Sequence, residues 1–100
     1  MAIAINEFDF DGPYADHSNL KTKPGIYAVM VWKGNYWRLL DVGESQNVVE
    51  KLGNHERQGE WFLYSKNKDR AYAAFYEEDE SKRKEIEGAI RTKSNPPCGE

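Results

Sequence analysis

Cysteine is almost missing from this sequence. The single Cys98 can close no intramolecular disulfide, and with two histidines and no C-x-x-C spacing there is no ligand pattern for a structural zinc site. Long apolar runs are missing too. The opening Ala2-Ile3-Ala4-Ile5 has neither a cationic stretch before it nor the length of a signal or membrane segment, so a cytoplasmic location and no membrane contact are expected. A strong excess of one charge is also lacking: 14 Lys plus Arg stand against 17 Asp plus Glu, a net charge of −3. A dedicated nucleic-acid binder is more often basic. The balance is uneven along the chain, however. Residues 1–20 hold four acids (Glu7, Asp9, Asp11, Asp16) and no Lys or Arg, which leaves the remainder almost neutral and able to carry a local basic patch.

What is present suits one small globular domain. A chain of 100 residues cannot divide into two cores. Hydrophobic residues make up 39% and the 13 aromatics supply the large side chains that a packed interior needs. Residues 6–24 are rich in Asp, Asn, Gly and Pro, with scattered anchors at Phe8, Phe10, Tyr14 and Leu20; residues 1–24 are expected to form an acidic, loop-rich leader lying on a domain that spans 25–99. Gly25 to Trp32 and Tyr36 to Val42 read as two strands joined by a Gly34 turn. Ser45 is a candidate cap for a helix from about Gln46 to about His55 that buries Val48, Val49 and Leu52. An aromatic knot (Trp61, Phe62, Tyr64) and a polar loop from Ser65 to Arg70 precede a third strand over Ala71 to Tyr76. After the acidic turn Glu77 to Glu80, a last helix from about Ser81 to about Lys93 buries Ile86, Ala89 and Ile90 and stops before Pro96-Pro97. The order is β-β-α-β-α. The predicted class is α+β, a small, mainly antiparallel three-stranded sheet flanked by helices.

Three placements concern chemistry. A hairpin closing symmetrically about Gly34 pairs Tyr27 with Asp41 and Val29 with Leu39, so Tyr27 and Asp41 share a face. The same pairing also describes an ordinary tyrosine–aspartate hydrogen bond at a sheet margin, and a one-residue slip removes it. Lys51 and His55 stand four apart on the first helix, either as two phosphate contacts or as ordinary neighbours of the apolar stripe. Arg83, Glu87 and Arg91 form an i, i+4 row on the last helix: a surface ion-pair ladder, or a setting in which Glu87 is a carboxylate ligand for Mg²⁺.

Taken in order, Gly25-Ile26-Tyr27, then Asp41-Val42-Gly43-Glu44-Ser45-Gln46-Asn47 leading into Lys51 and His55, then Glu87 ahead of Pro96, resemble the GIY-YIG nuclease superfamily over residues 24–99. The leader's Phe10-Asp11-Gly12-Pro13-Tyr14 is similar to that of a small stand-alone bacterial branch. The resemblance implies hydrolysis of a nucleic-acid phosphodiester, of DNA ahead of RNA, with one weakly bound Mg²⁺ or Mn²⁺ held by Glu87. It implies that Tyr27 activates or orients water, that a cation on the helix after the second motif steadies the phosphate, and that His55 assists. Catalytic candidates are therefore Tyr27, Asp41, Lys51, His55 and Glu87, converging on one concave surface, with no organic cofactor.

The sequence departs from that pattern at three positions. Asp41 replaces the second motif's tyrosine, Lys51 stands in place of an arginine, and Gly99 falls where an asparagine closes the pattern. Lysine lacks the bidentate fork of arginine. Asp41 offers a metal ligand or a base, yet as an anion it also repels a phosphodiester. Arg57 is an alternative cation, but a continuous helix turns it away from Lys51 and only a bend near Gly53 or Gly59 brings it back. The competing expectations are a catalytically degenerate module that binds nucleic acid or protein, and an interaction domain presenting Trp32, Trp37 or Trp61. A chain this small is expected to take specificity from a protein partner or a homodimer.

Overall fold

The computed structural model describes residues 1–65 and 69–99. The class is α+β, built on one antiparallel sheet. Five strands form it rather than the expected three: β1 (Ala2–Ile5), β2 (Phe8–Tyr14), β3 (Gly25–Trp32), β4 (Trp37–Ser45) and β5 (Arg70–Tyr76), in spatial order β1-β2-β5-β3-β4. Helices α1 (Val48–Gly53), α2 (Gln58–Tyr64) and α3 (Glu80–Ser94) complete the fold, so the chain order is four strands, two helices, a strand and a helix.

The two additional strands come from the segment expected to be a loop-rich leader. Its acids and Gly12-Pro13 conceal an alternation in which Phe8 and Phe10 face inward and Asp9 outward. Asp11 is accommodated because the hydroxyls of Tyr14 and Tyr76 both donate to its carboxylate at 2.7 Å, which fastens β2 beside β5.

Strand β3 lies between β5 and β4 and is buried on both faces, which is why it reads as an unbroken apolar run. Its odd-numbered residues Tyr27, Val29 and Val31 face α1 and α2, in a cluster with Leu20, Leu40, Val48, Leu52, Trp61 and Cys98. Its even-numbered residues Ile26, Ala28 and Met30 face α3, in a cluster with Phe10, Val42, Ala73 and Ile90. Within α3, Ile90 is fully buried and Ile86 partly so, but Ala89 is exposed, and the buried position is taken instead by Arg83.

The β3–β4 register also differs from the symmetric one. Tyr27 pairs with Gly43 and Val29 with Asp41, while Met30 pairs with Leu39, so Leu40 is an extra residue in a bulge. A symmetric count about Gly34 cannot contain that residue. The bulge still leaves Asp41 opposite Val29, on the face that carries Tyr27.

The first helix is shorter than expected. Asn47, not Ser45, caps it: the Asn47 side chain accepts from the backbone N–H of Glu50 at 3.1 Å, while Ser45 ends β4 and its hydroxyl joins the turn through Asn47. The chain leaves helix at Asn54 and re-enters it at Gln58. Of the polar loop expected over Ser65 to Arg70, positions 66–68 lie outside the described residues.

Candidate functional site

The break between α1 and α2 decides the geometry of the site. His55 sits in that turn rather than on the helix face of Lys51, and its side chain is fully buried. Its Nε2 lies 2.6 Å from the hydroxyl of Tyr27, and its Nδ1 accepts the backbone N–H of Arg57 at 3.0 Å. The imidazole is packed between two rings, with centroids 5.3 Å from Tyr27 and 4.6 Å from Trp61. Burial and then the Arg57 cation push the His55 pKa below its ordinary value, outweighing the opposite pull of Glu56 and Asp41. The imidazole is accordingly neutral at neutral pH.

Tyr27 is 2% exposed and lies across its strand partner Gly43. A side chain at Gly43 would occupy the space of the Tyr27 hydroxyl, so glycine at this position is what lets the phenol reach the β4 edge. Burial is the main reason its pKa rises; Arg57 opposes the rise, while Asp41, Glu56 and Glu87 add to it. The phenol therefore stays protonated through the physiological range.

Asp41 is wholly buried and its carboxylate is fully occupied. Arg57 grips it with Nε at 2.7 Å and Nη2 at 3.3 Å, Trp61 Nε1 donates at 2.8 Å, Arg91 Nη2 donates at 3.0 Å, and the backbone N–H of Val42 donates at 2.8 Å. Burial pushes this carboxyl up, but the hydrogen bonds from Arg57 and Trp61 and the Arg57 charge outweigh it and hold the pKa below the usual carboxylate value. A carboxylate so bound is neither a free base nor an open metal ligand.

Sequence spacing alone left Arg57 on the wrong side. The turn at Asn54 to Arg57 supplies the bend that brings it in. Cys98 is buried: its N–H donates to the Leu40 carbonyl at 3.0 Å and its carbonyl accepts from Arg91 Nη1 at 2.9 Å. The segment beyond α3 thus covers the bulge and the Asp41 cluster. Gly99 lies against Asp41 and Arg91 so closely that any Cβ there would clash with both.

Helix α3 lays its polar row along β4, so the row is not a surface ladder. Arg83 is buried, donating to Glu44 at 2.8 Å and to the carbonyls of Glu77 and Glu78, while Arg91 reaches Asp41 and the Val42 carbonyl. Glu87 lies between them, half-buried. It accepts no hydrogen bond among the described residues, and its nearest cation is Arg91 Nε at 3.5 Å. Lys51 stays apart, 37% exposed and paired at 3.2 Å with Glu56, beside a shallow cleft formed with Ser45, Glu50 and Asn54. The Glu56 backbone N–H and Lys51 draw the Glu56 pKa down to about 2.

Of the five candidates, Tyr27 and His55 are in direct contact, and Asp41 is joined to them through Arg57 and Trp61. Glu87 lies on α3 beside Arg91, not in contact with the Tyr27–His55 pair, whereas Lys51 stands at the solvent edge. Arg57, Trp61 and Arg91 complete the cluster. Among the described residues no group of three or more His, Cys, Asp or Glu side chains is arranged to hold a metal ion. With Asp41 and Glu44 hydrogen-bonded to arginines, the donor left for a hard cation is the one carboxylate of Glu87, itself ion-paired with Arg91 at 3.5 Å. That suffices for Mg²⁺ only where water and substrate oxygens fill the remaining positions. No helix of the described residues is long and apolar enough to cross a membrane. Compared with protein-family models, curated proteins and solved structures, the chain has no significant match.

Proposed function

We propose that the domain hydrolyses nucleic-acid phosphodiesters through a GIY-YIG-like site whose second motif has been rebuilt as an ion cluster. The observation that carries this reading is the buried Tyr27–His55 contact of 2.6 Å, held over Gly43. An apolar core gains nothing from a neutral histidine and a tyrosine hydroxyl at that depth, where each polar atom requires a partner. In this role Tyr27 and His55 align the reacting oxygens and Glu87 holds a divalent cation. When bound, that cation supplies positive charge against the scissile phosphate. Arg57 is the cation closest to the pair and takes the part that the resemblance gives to Lys51; Lys51, at the solvent edge, meets the flanking backbone.

A second reading rests on a different observation. Asp41 neutralises both Arg57 and Arg91, and Tyr27 is almost sealed from solvent, which favours a module that keeps the fold and binds nucleic acid or a protein partner without cleaving.

The test is a cleavage screen with Mg²⁺ and Mn²⁺ over single-stranded, duplex and branched DNA and RNA, with Glu87→Ala alongside. Cleavage that requires the metal and falls on the order of a hundredfold or more in Glu87→Ala supports catalysis, the scale of losing one charged transition-state contact. Salt-dependent binding with no cleavage of any substrate selects the second reading.

A further inference from the structure

The hydrogen-bond count around His55 fixes more than its location. A neutral imidazole carries one N–H and one lone pair. Its Nδ1 lone pair accepts the backbone N–H of Arg57 at 3.0 Å, so the ring proton must be on Nε2 and must point at the Tyr27 hydroxyl 2.6 Å away. The Tyr27 oxygen is then the acceptor of that bond. Its own proton is directed elsewhere, and among the described residues no acceptor takes it. Tyr27 is left as a hydrogen-bond donor facing the β4 edge, and His55 cannot draw a proton from it in this tautomer.

What holds the tautomer traces back to one side chain. Asp41 grips the Arg57 guanidinium through two nitrogens and also accepts from Trp61 Nε1 at 2.8 Å. Arg57 and Trp61 are the two residues that confine His55, one through its backbone N–H and the other through its ring at 4.6 Å. The Glu56 carboxylate, 3.9 Å from Nδ1, is the rival acceptor that would draw a proton to that nitrogen if Arg57 moved away.

We infer that Asp41 is a positioning residue. Through Arg57 and Trp61 it holds His55 as the Nε2–H tautomer, so that Tyr27 presents its hydroxyl proton to an acceptor oxygen of the bound ligand. The inference gives the departure from the superfamily's second motif a use: the aspartate contacts no ligand and instead sets the polarity of the pair that does. It rests on the reading of this site as one that receives a phosphodiester, since a phosphate oxygen is the acceptor that such a donor suits.

The test needs no turnover. Long-range ¹H–¹⁵N correlation spectra of the imidazole report which ring nitrogen carries the proton. The folded wild-type protein near neutral pH is expected to show neutral His55 with its proton on Nε2; a proton on Nδ1, or an imidazolium, overturns the inference. Asp41→Asn keeps the shape but loses the charge, and should replace the single Nε2–H pattern with exchange between tautomers or ring orientations. An unchanged pattern in a folded Asp41→Asn protein removes Asp41 from the role. Should that variant fail to fold, Arg57→Lys keeps the charge and the backbone N–H without the two-nitrogen grip, and the same loss is expected. The Nε2–H pattern in a protein that cleaves nothing would leave this inference standing and defeat the catalytic reading; cleavage by a protein with an Nδ1 proton would do the reverse.

Discussion

The two faces of the sheet are built on different principles. The α3 face is closed mainly by size and shape: Phe10, Ile26, Ala28, Met30, Val42, Ala73 and Ile90 form an apolar cluster, and the buried charge on this side, Arg83, is paired with Glu44 away from that cluster. The α1–α2 face contains residues of comparable bulk, but it surrounds a buried carboxylate, two arginines, a neutral histidine and a tyrosine hydroxyl, all hydrogen-bonded to one another. Burying such charges is seldom a route to stability, because desolvation consumes most of what the pairing returns. One face therefore holds the domain together, and the other is where the domain tolerates an expensive arrangement, as a working site does.

The sharpest way to break that comparison is Asp41→Ala. It strands Arg57, Arg91 and the Trp61 N–H, and the expected loss is about 3–5 kcal/mol, read from urea unfolding. A loss below about 1 kcal/mol would mean that the arginines find water and that the cluster is not truly buried. On the opposite face Ile90→Ala should cost about 2–5 kcal/mol through lost transfer energy and the cavity left behind. Its effect should be independent of salt, whereas the Asp41→Ala loss should shift with ionic strength.

Acid should find the two faces unequal as well. His55 has a folded-state pKa below its unfolded value near 6.5, so its contribution is complete above that pH and is lost as pH falls through the lower folded value. Asp41, also lowered, contributes above about pH 3.9 and loses that contribution as pH falls further. Stability should therefore decline in two stages on acidification, with a His55 slope of at most about 1.4 kcal/mol per pH unit. His55→Gln should flatten the upper stage alone. The smallest effect is expected at Lys51→Ala: less than about 0.5 kcal/mol of stability, since its partner Glu56 lies in solvent.

Most of the frame was legible. The bounds of the last helix, the strand over Ala71 to Tyr76 and the strand pair about Gly34 follow from periodicity and breakers, and they appear in the structure as α3, β5 and the β3–β4 hairpin. The leader was not legible, because Asp11 reads as a loop residue until the hydroxyl of Tyr14 and that of the distant Tyr76 satisfy it. The Leu40 bulge was invisible for a related reason: nothing in a run of apolar residues marks the one without a partner. Asp41, Tyr27 and His55 could be singled out from the sequence, and the shared face of Tyr27 and Asp41 with them, but the contacts that join them could not. Those depend on a two-turn helix ending at Asn54, on Arg57 swinging in, and on Arg91 and Cys98 returning to the edge of β4. The available signal was the glycine at Gly53, where a bend brings Arg57 back toward the site.

The spacing of Asp41's partners also sets an order of events in synthesis. They lie 16, 20 and 50 positions further along the chain, at Arg57, Trp61 and Arg91. At roughly 5–20 residues per second, Asp41 leaves the ribosome seconds before the last of them exists. Until Arg57 and Trp61 follow, its carboxylate remains hydrated, and the Arg91 contact waits for α3. The site is therefore completed only when α3 is made, and a ribosome that pauses before Arg91 holds a chain whose Asp41 cluster is unfinished.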